Sequence, residues 1–409
     1  MRTTEALEDA RRALEICNAC RYCEGFCAVF PAMEKRRAFS NGDLSYLANL
    51  CHNCRGCYHA CQYAPPHEFG INLPKSFAEL RVETYEEYAW PRPMARLLRR
   101  NGLVVSIVTA LALAGVLLGA MLLQAPDLLY GTHTGPGAFY AVVPHSVMVA
   151  LGSVTFLFVL FALGMGFANF WRDTGGRAAE LTRGRPLRQA LSDVLTLRHL
   201  GGQHGCNDRD ETFSTARRRF HHALFYGFFA CFASTGVATL YHVLFGWEAP
   251  YGLFSLPVLL GTFGGLGIAV GTAGMLWLKL TGDQVPTAKR LMGTEVAFLA
   301  LLALTAVSGL LLLALRSTGA MGIALAVHLG FVLSLFLLMP YSKFVHGVYR
   351  AAALLRYALE REPAPTPAPV AVPAAAEPPI DIVRLARARS AEENTQPLGR
   401  STPNPAAGD

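Results

Sequence analysis

The chain changes character near residue 100. Before it, apolar positions are broken up by charges; after it, six stretches run almost free of charge, from Leu103 to Leu123, His145 to Phe170, His222 to Leu244, Leu253 to Leu278, Val296 to Leu315 and Met321 to Phe344. At about 1.5 Å of rise per helical residue, each is long enough to cross roughly 30 Å of hydrocarbon. The pattern predicts an all-α membrane protein with six transmembrane helices over residues 103–350. A polar, helical N-terminal module (1–80) precedes them, joined by a basic connector (81–102) that carries Arg92, Arg96, Arg99 and Arg100. Past residue 362 the chain is rich in proline and alanine, with too few large apolar residues to build a core, which predicts disorder over 362–409.

Charge then orients the spans, because lysine and arginine accumulate on the cytoplasmic side of a membrane. The segments Gln124 to Pro144 and Phe245 to Gly252 contain neither residue. On the alternate side, the loop at 172–220 holds ten arginines, the next connection holds Lys279, Lys289 and Arg290, and the tail begins with Lys343, Arg350 and Arg356. Only Arg316 falls on the opposite side. An even number of spans therefore predicts that both termini and the module are cytoplasmic. Composition agrees: the chain is 52% hydrophobic, with a mean hydropathy of +0.31, which excludes an ordinary soluble protein. The net charge of +7 lies mainly beside the apolar runs, so it marks topology and membrane contact rather than a nucleic-acid partner.

The candidate chemistry begins with cysteine. Cys17, Cys20, Cys23 and Cys27 form a C-x2-C-x2-C-x3-C motif, and Cys51, Cys54, Cys57 and Cys61 repeat it. No secretory signal precedes them, and the charged, helix-like segment from Met1 to Ile16 keeps this end in a reducing compartment, so disulfides are not expected. Zinc would favour paired knuckles a dozen or more residues apart. Three cysteines at this spacing wrap one [4Fe-4S] cluster, while the fourth reaches the neighbouring cluster. That rule assigns Cys17, Cys20, Cys23 and Cys61 to one cluster and Cys51, Cys54, Cys57 and Cys27 to the other. A bacterial-type ferredoxin carries proline directly after the fourth cysteine, whereas Ala28 and Gln62 stand there in this chain. The expectation is a helical two-cluster module rather than a small ferredoxin fold.

Histidines supply a second candidate. His145, His221, His222, His242, His328 and His346 lie in or at the ends of the predicted spans. Ionisable groups at such depth are costly and usually functional. A buried haem held by two imidazoles needs them level on facing helices. The third span runs outward and the sixth inward, which pairs His221 or His222 with His346 near the cytoplasm and His242 with His328 near the outer surface. Helical phase, about 100° per residue, puts His221 on the face of His242 and turns His222 away. The expected ligands are thus His221 with His346 and His242 with His328, for one or two b-type haems; His145 is a further outer candidate. His52, His59 and His67 read as ordinary residues around the clusters. Gly261, Gly264, Gly265, Gly267 and Gly271 fall within the fourth span, where close helix packing is their expected role. No strand followed by G-x-G-x-x-G is present, so hydride chemistry on an organic substrate would belong to another polypeptide.

The stretches from Cys20 to Pro31 and from Cys51 to His67, then Gly205-Cys206-Asn207, Arg217 to His222 and Phe225 to Phe228, resemble the tricarballylate utilisation protein B family over about residues 15–350. That resemblance implies a protein of the bacterial inner membrane combining iron-sulfur clusters with b-type haem. It implies reoxidation of the reduced FAD of a partner dehydrogenase that converts tricarballylate to cis-aconitate. The same residues are similar to part of a fused flavoprotein of cobalamin synthesis, precorrin-3B synthase, whose flavin half this chain lacks. The expected function is electron transfer from a flavin to the quinone pool; the alternatives are an auxiliary subunit in corrin-ring oxidation and a redox-sensing or structural membrane anchor.

Overall fold

The structure, a computed structural model, describes residues 4–99, 102–200 and 205–362, together with Arg387. The predicted disorder of 362–409 concerns residues that, apart from Glu362 and Arg387, lie outside this set. All regular structure among the described residues is helical.

Local chemistry sets the module's helices. Thr4 caps α1 (Glu5–Cys20) by accepting from the Leu7 amide, and Arg21 closes it in the left-handed region at φ 55°. After the short α2 (Val29–Glu34), a capping box of Ser40 and Asp43 starts α3 (Asn41–Leu50), which stops one residue before Cys51. A single turn, α4 (Gly56–His59), precedes α5 (Leu73–Tyr88), capped by Asn72 with Pro74 in its first turn. The boundary expected at residue 80 falls inside α5, because Leu73, Phe77, Leu80, Thr84 and Tyr88 continue one buried stripe through it. The basic connector contains a further helix, α6 (Arg92–Arg99).

Next come α7 (Gly102–Leu123), the short α8 (Pro126–Tyr130) and α9 (Ala138–Val142), then α10 (His145–Asp173) and α11 (Gly184–Leu195). The remaining helices are α12 (Ala216–Phe245), α13 (Leu256–Thr281), α14 (Met292–Leu315), α15 (Met321–Leu338) and α16 (Val345–Glu360). Six of them, α7, α10, α12, α13, α14 and α15, are long and apolar enough to cross a membrane, and they coincide with the six predicted runs. Leu122 is 75% exposed and Phe263 70%, an arrangement that water would not tolerate along a whole bundle but lipid does. The chain is a multi-pass membrane protein.

Successive spans return to the same face. The module-side end of α10 meets it through a hydrogen bond from the Tyr88 hydroxyl to Asp173. At the start of α12, Arg217 donates to the Asn53 carbonyl at 2.7 Å. At the end of α13, Arg55 donates to the Asp283 carbonyl at 2.9 Å. On the opposite face Arg316, the exception to the charge pattern, donates to the Tyr251 carbonyl at 2.6 Å.

The module's core extends past its own helices. Leu14, Phe30, Met33, Tyr46, Leu47 and Phe77 share one buried cluster with Phe170 of α10 and with Val345, Tyr349, Leu354 and Leu355 of α16. The last helix therefore packs against the N-terminal module instead of closing the membrane domain at residue 350.

Candidate cofactor sites

The cysteines sit where helices end. Cys17 and Cys20 occupy the last turn of α1, and Cys51 follows α3 directly. Asn53 and Arg55 adopt left-handed conformations, at φ 57° and 66°, that curl the chain between Cys51 and Cys57. The result is two cavities. Cys17, Cys20, Cys23 and Cys61 lie on the wall of the first, where Cys57 also reaches the lining. Cys27, Cys51, Cys54 and Cys57 line the second. Cys27 and Cys61 are thus exchanged between the two sequence motifs.

The donor set fits a cluster better than a single ion. Among the described residues no three His, Cys, Asp or Glu side chains gather closely enough to chelate one metal ion. The thiols are spread around each cavity, as a cubane bound at its corners requires and tetrahedral zinc does not. All are free of disulfides. Burial, then the neighbouring Cys61, Cys23 and Cys20, pushes the Cys17 thiol up to about 12. Cys23 is likewise raised to about 12 by burial and by Cys61 and Cys20. Cys27 is raised well above the thiol range by burial and by Cys54 and Cys51. For Cys17, Cys23 and Cys27 a bound cationic cluster would offset that burial and stabilise the thiolates.

The second cavity has a lid that spacing alone did not assign. His199 lines it, with its ring 5.9 Å from that of His52. The Asn207 amide donates to the Cys54 carbonyl at 2.9 Å, and the adjoining Cys206 is tied to Ser214 through reciprocal backbone bonds. On either side of residues 201–204, His199 and Asn207 of the segment after α11 thus lie against the cysteine module.

Among the histidines, the structure brings His221 and His346 together, with ring centroids 6.0 Å apart and planes at 79°. Two imidazoles on opposite sides of one metal, each with its nitrogen about 2 Å from it, place their ring centres about 6 Å apart. The Nδ1 of His346 bonds the Lys343 carbonyl, which leaves Nε2 for a metal. His221 Nδ1 is buried with no hydrogen-bond partner. His222 turns away, its Nε2 lying 3.2 Å from the Thr196 carbonyl. This pair fits a haem iron.

The outer pair does not form. His242 stacks on His145 at 3.9 Å, with Tyr140 edge-on at 5.6 Å. His328 instead meets Ser308, whose Oγ lies 3.1 Å from its Nδ1. Depth and phase place a residue on its own helix but do not select neighbouring helices: α12 packs along α13, whereas α15 packs against α7 and α14.

Sequence reasoning also missed three arginines, buried Arg81 and half-buried Arg217 and Arg350. Arg81 and Arg350 both donate to the Cys51 carbonyl, and Arg217 to that of Asn53. Arg217 precedes His221 by one helical turn, and Arg350 follows His346 by one. The histidine pair and the second cavity are therefore joined through two helical turns. Beside spans, basic residues read as topology signals, so no pattern distinguished these three.

Residues 96–368 match the family model described as citrate utilization protein B, and residues 10–87 match that of the citrate utilization protein B Fer4-like domain. The citrate utilization protein B of Escherichia coli is 48% identical over 363 residues, covering 88% of this chain and 93% of that relative. No solved structure matches. With a Fer4-like, iron-sulfur type domain at its N-terminus and six membrane-crossing helices behind it, the chain belongs to the citrate utilization protein B family.

Proposed function

We propose that this protein carries electrons from the reduced FAD of a partner dehydrogenase into the membrane quinone pool, using two [4Fe-4S] clusters and a b-type haem. The observation that carries the reading is the arrangement of donors: two cysteine-lined cavities, the second tied by Arg217 and Arg350 to the turns that hold His221 and His346. Cys17, Cys20, Cys23 and Cys61 would hold one cluster, Cys27, Cys51, Cys54 and Cys57 the other, and His221 and His346 the haem. When bound, these groups supply one-electron redox chemistry.

The chain's own residues position and insulate. Tyr22, 66% exposed, stands at the mouth of the first cavity, where a flavoprotein would dock. His199, which lines the second, and Asn207, bonded to the Cys54 carbonyl, help keep solvent from it. Lys343 fixes the His346 ring through its carbonyl. The basic loops share the module's face, which supports an inner-membrane protein with that face in the cytoplasm. The relative's name ties it to citrate and the sequence resemblance points to tricarballylate, both tricarboxylates; the partner's substrate is proposed to be of that class.

The test is anaerobic. Purified protein in lipid vesicles, given a reduced flavoprotein partner and a quinone, should reduce the quinone over many turnovers, with cluster signals by electron paramagnetic resonance and haem bands by absorbance. Stoichiometric reduction without turnover would point to a sensor or anchor, and absence of cluster signals after reconstitution would sink the proposal.

A further inference from the structure

The two cavities differ in charge. The lining of the first contains no charged residue; its polar contacts include Gln62, whose Nε2 lies 3.8 Å from Cys20 Sγ. Four arginines surround the second. Arg81 is buried and bonds the carbonyls of Ala48 and Cys51. Arg350 donates to those of Asn49 and Cys51, at 3.3 and 2.8 Å. Neither pairs with a carboxylate among the described residues. Arg217 forms an ion pair with Asp208 at 2.6 Å. Arg55 lines the cavity and donates to the Asp283 carbonyl at 2.9 Å and the Thr287 hydroxyl at 2.8 Å. Guanidiniums stay protonated at neutral pH, so Arg81 and Arg350 both carry full positive charge.

Burying unpaired guanidiniums is expensive, and a fold that retains them needs an anion nearby. A cluster held by four thiolates is such an anion, and reduction adds one further negative charge to it. Net charge, hydrogen bonds near the ligands and solvent exposure set the potential of such clusters. Exposure of the first cavity acts in the opposite direction, since water also stabilises added charge. Full charges act more strongly across a buried, low-dielectric site than through solvent, so the arginines decide the sign.

We propose that Arg81 and Arg350 are potential-setting residues that make the cluster held by Cys27, Cys51, Cys54 and Cys57 the more easily reduced of the two. The inference rests on the proposed function above. It orders the module: an electron given up at the outer position is accepted at the inner one, with no bond broken and no proton moved, and it arrives beside His221 and His346.

The full chain, reconstituted anaerobically, can be titrated potentiometrically and followed by electron paramagnetic resonance. The wild type should show two reduction steps. In Arg350→Gln the upper step should move to lower potential, changing the partition of the electron between positions by roughly tenfold, about 59 mV for one electron, while the lower step stays in place. Arg81→Gln should act in the same direction, and Arg350→Lys should restore most of the shift. Movement of the lower step instead, or of neither step at unchanged iron content, would overturn the assignment. So would loss of clusters from both glutamine variants, which would give the arginines a role in holding the fold. A wild type that holds no clusters at all would overturn the proposed function itself; a loaded wild type with coincident steps would overturn only this inference.

Discussion

At the scale of single residues, two adjacent histidines on one helix face different neighbours. His221 and His222 share the same depth, but the turn of α12 directs one ring toward His346 and the other toward Thr196. His221→Ala and His346→Ala should each abolish the haem bands in a reduced-minus-oxidised spectrum, whereas His222→Ala should leave them intact. Retention of the bands in His221→Ala would move the ligand elsewhere. A parallel comparison applies to Cys61. It stands in the second sequence motif but lines the first cavity, so Cys61→Ala should remove the same paramagnetic signal as Cys17→Ala and spare the one lost in Cys54→Ala. If Cys61→Ala matched Cys54→Ala, the exchange of fourth cysteines would be wrong.

Whole helices depend on features that periodicity reads well and on neighbours that it does not. The glycines of α13 illustrate the first case. A Cβ on Gly271 would stand 2.6 Å from the Leu224 amide nitrogen and 2.8 Å from the Phe220 carbonyl, and one on Gly264 would stand 2.8 Å from the Gly227 carbonyl. Backbone, not a yielding side chain, lies in the way, so α12 and α13 approach closely because the glycines of α13 meet α12 around Gly227. Gly271→Ala should cost about 1–3 kcal/mol of stability, read as a lower melting temperature in detergent, with the cluster signals unchanged. Gly347, where an added Cβ meets open space, should tolerate alanine. The six spans and the packing role of these glycines were both legible because each follows from composition or spacing along a single segment. The partners of His242 and His328 were not. Each lay correctly on its own helix, but the choice between α10 and α15 as neighbour of the outer end of α12 is made by tertiary packing. Arg81, Arg217 and Arg350 were hidden for a related reason: an arginine beside a span serves topology in most contexts, and only its hydrogen bonds to the cysteine loop reveal another use.

In the molecule as a whole, α16 binds the module to the membrane bundle. Its Tyr349 ring packs 5.4 Å from Phe170 of α10 and 6.0 Å from Tyr88 of α5, while Leu354 is buried in the core shared with the module. The same helix carries His346 and Arg350 on its first turns, so the element that anchors the core also spans the distance from the second cavity to the histidine pair. Core and redox arrangement can therefore be perturbed separately. Leu354→Ala leaves both functional side chains in place and opens a cavity, at a cost of about 2–5 kcal/mol, which is a large share of the roughly 5–15 kcal/mol that holds a typical domain. Limited proteolysis should then cut the module faster, and iron should be lost on storage, because the thiols of the second cavity are held by the loop that Arg350 grips from α16. The haem bands should persist, since Leu354 lies about two helical turns from His346 on α16 and the α12 side of that site is untouched. If Leu354→Ala left both protease resistance and iron content unchanged, the module would be folding independently of the last helix, and a soluble piece containing only the cysteines should then assemble its clusters on its own.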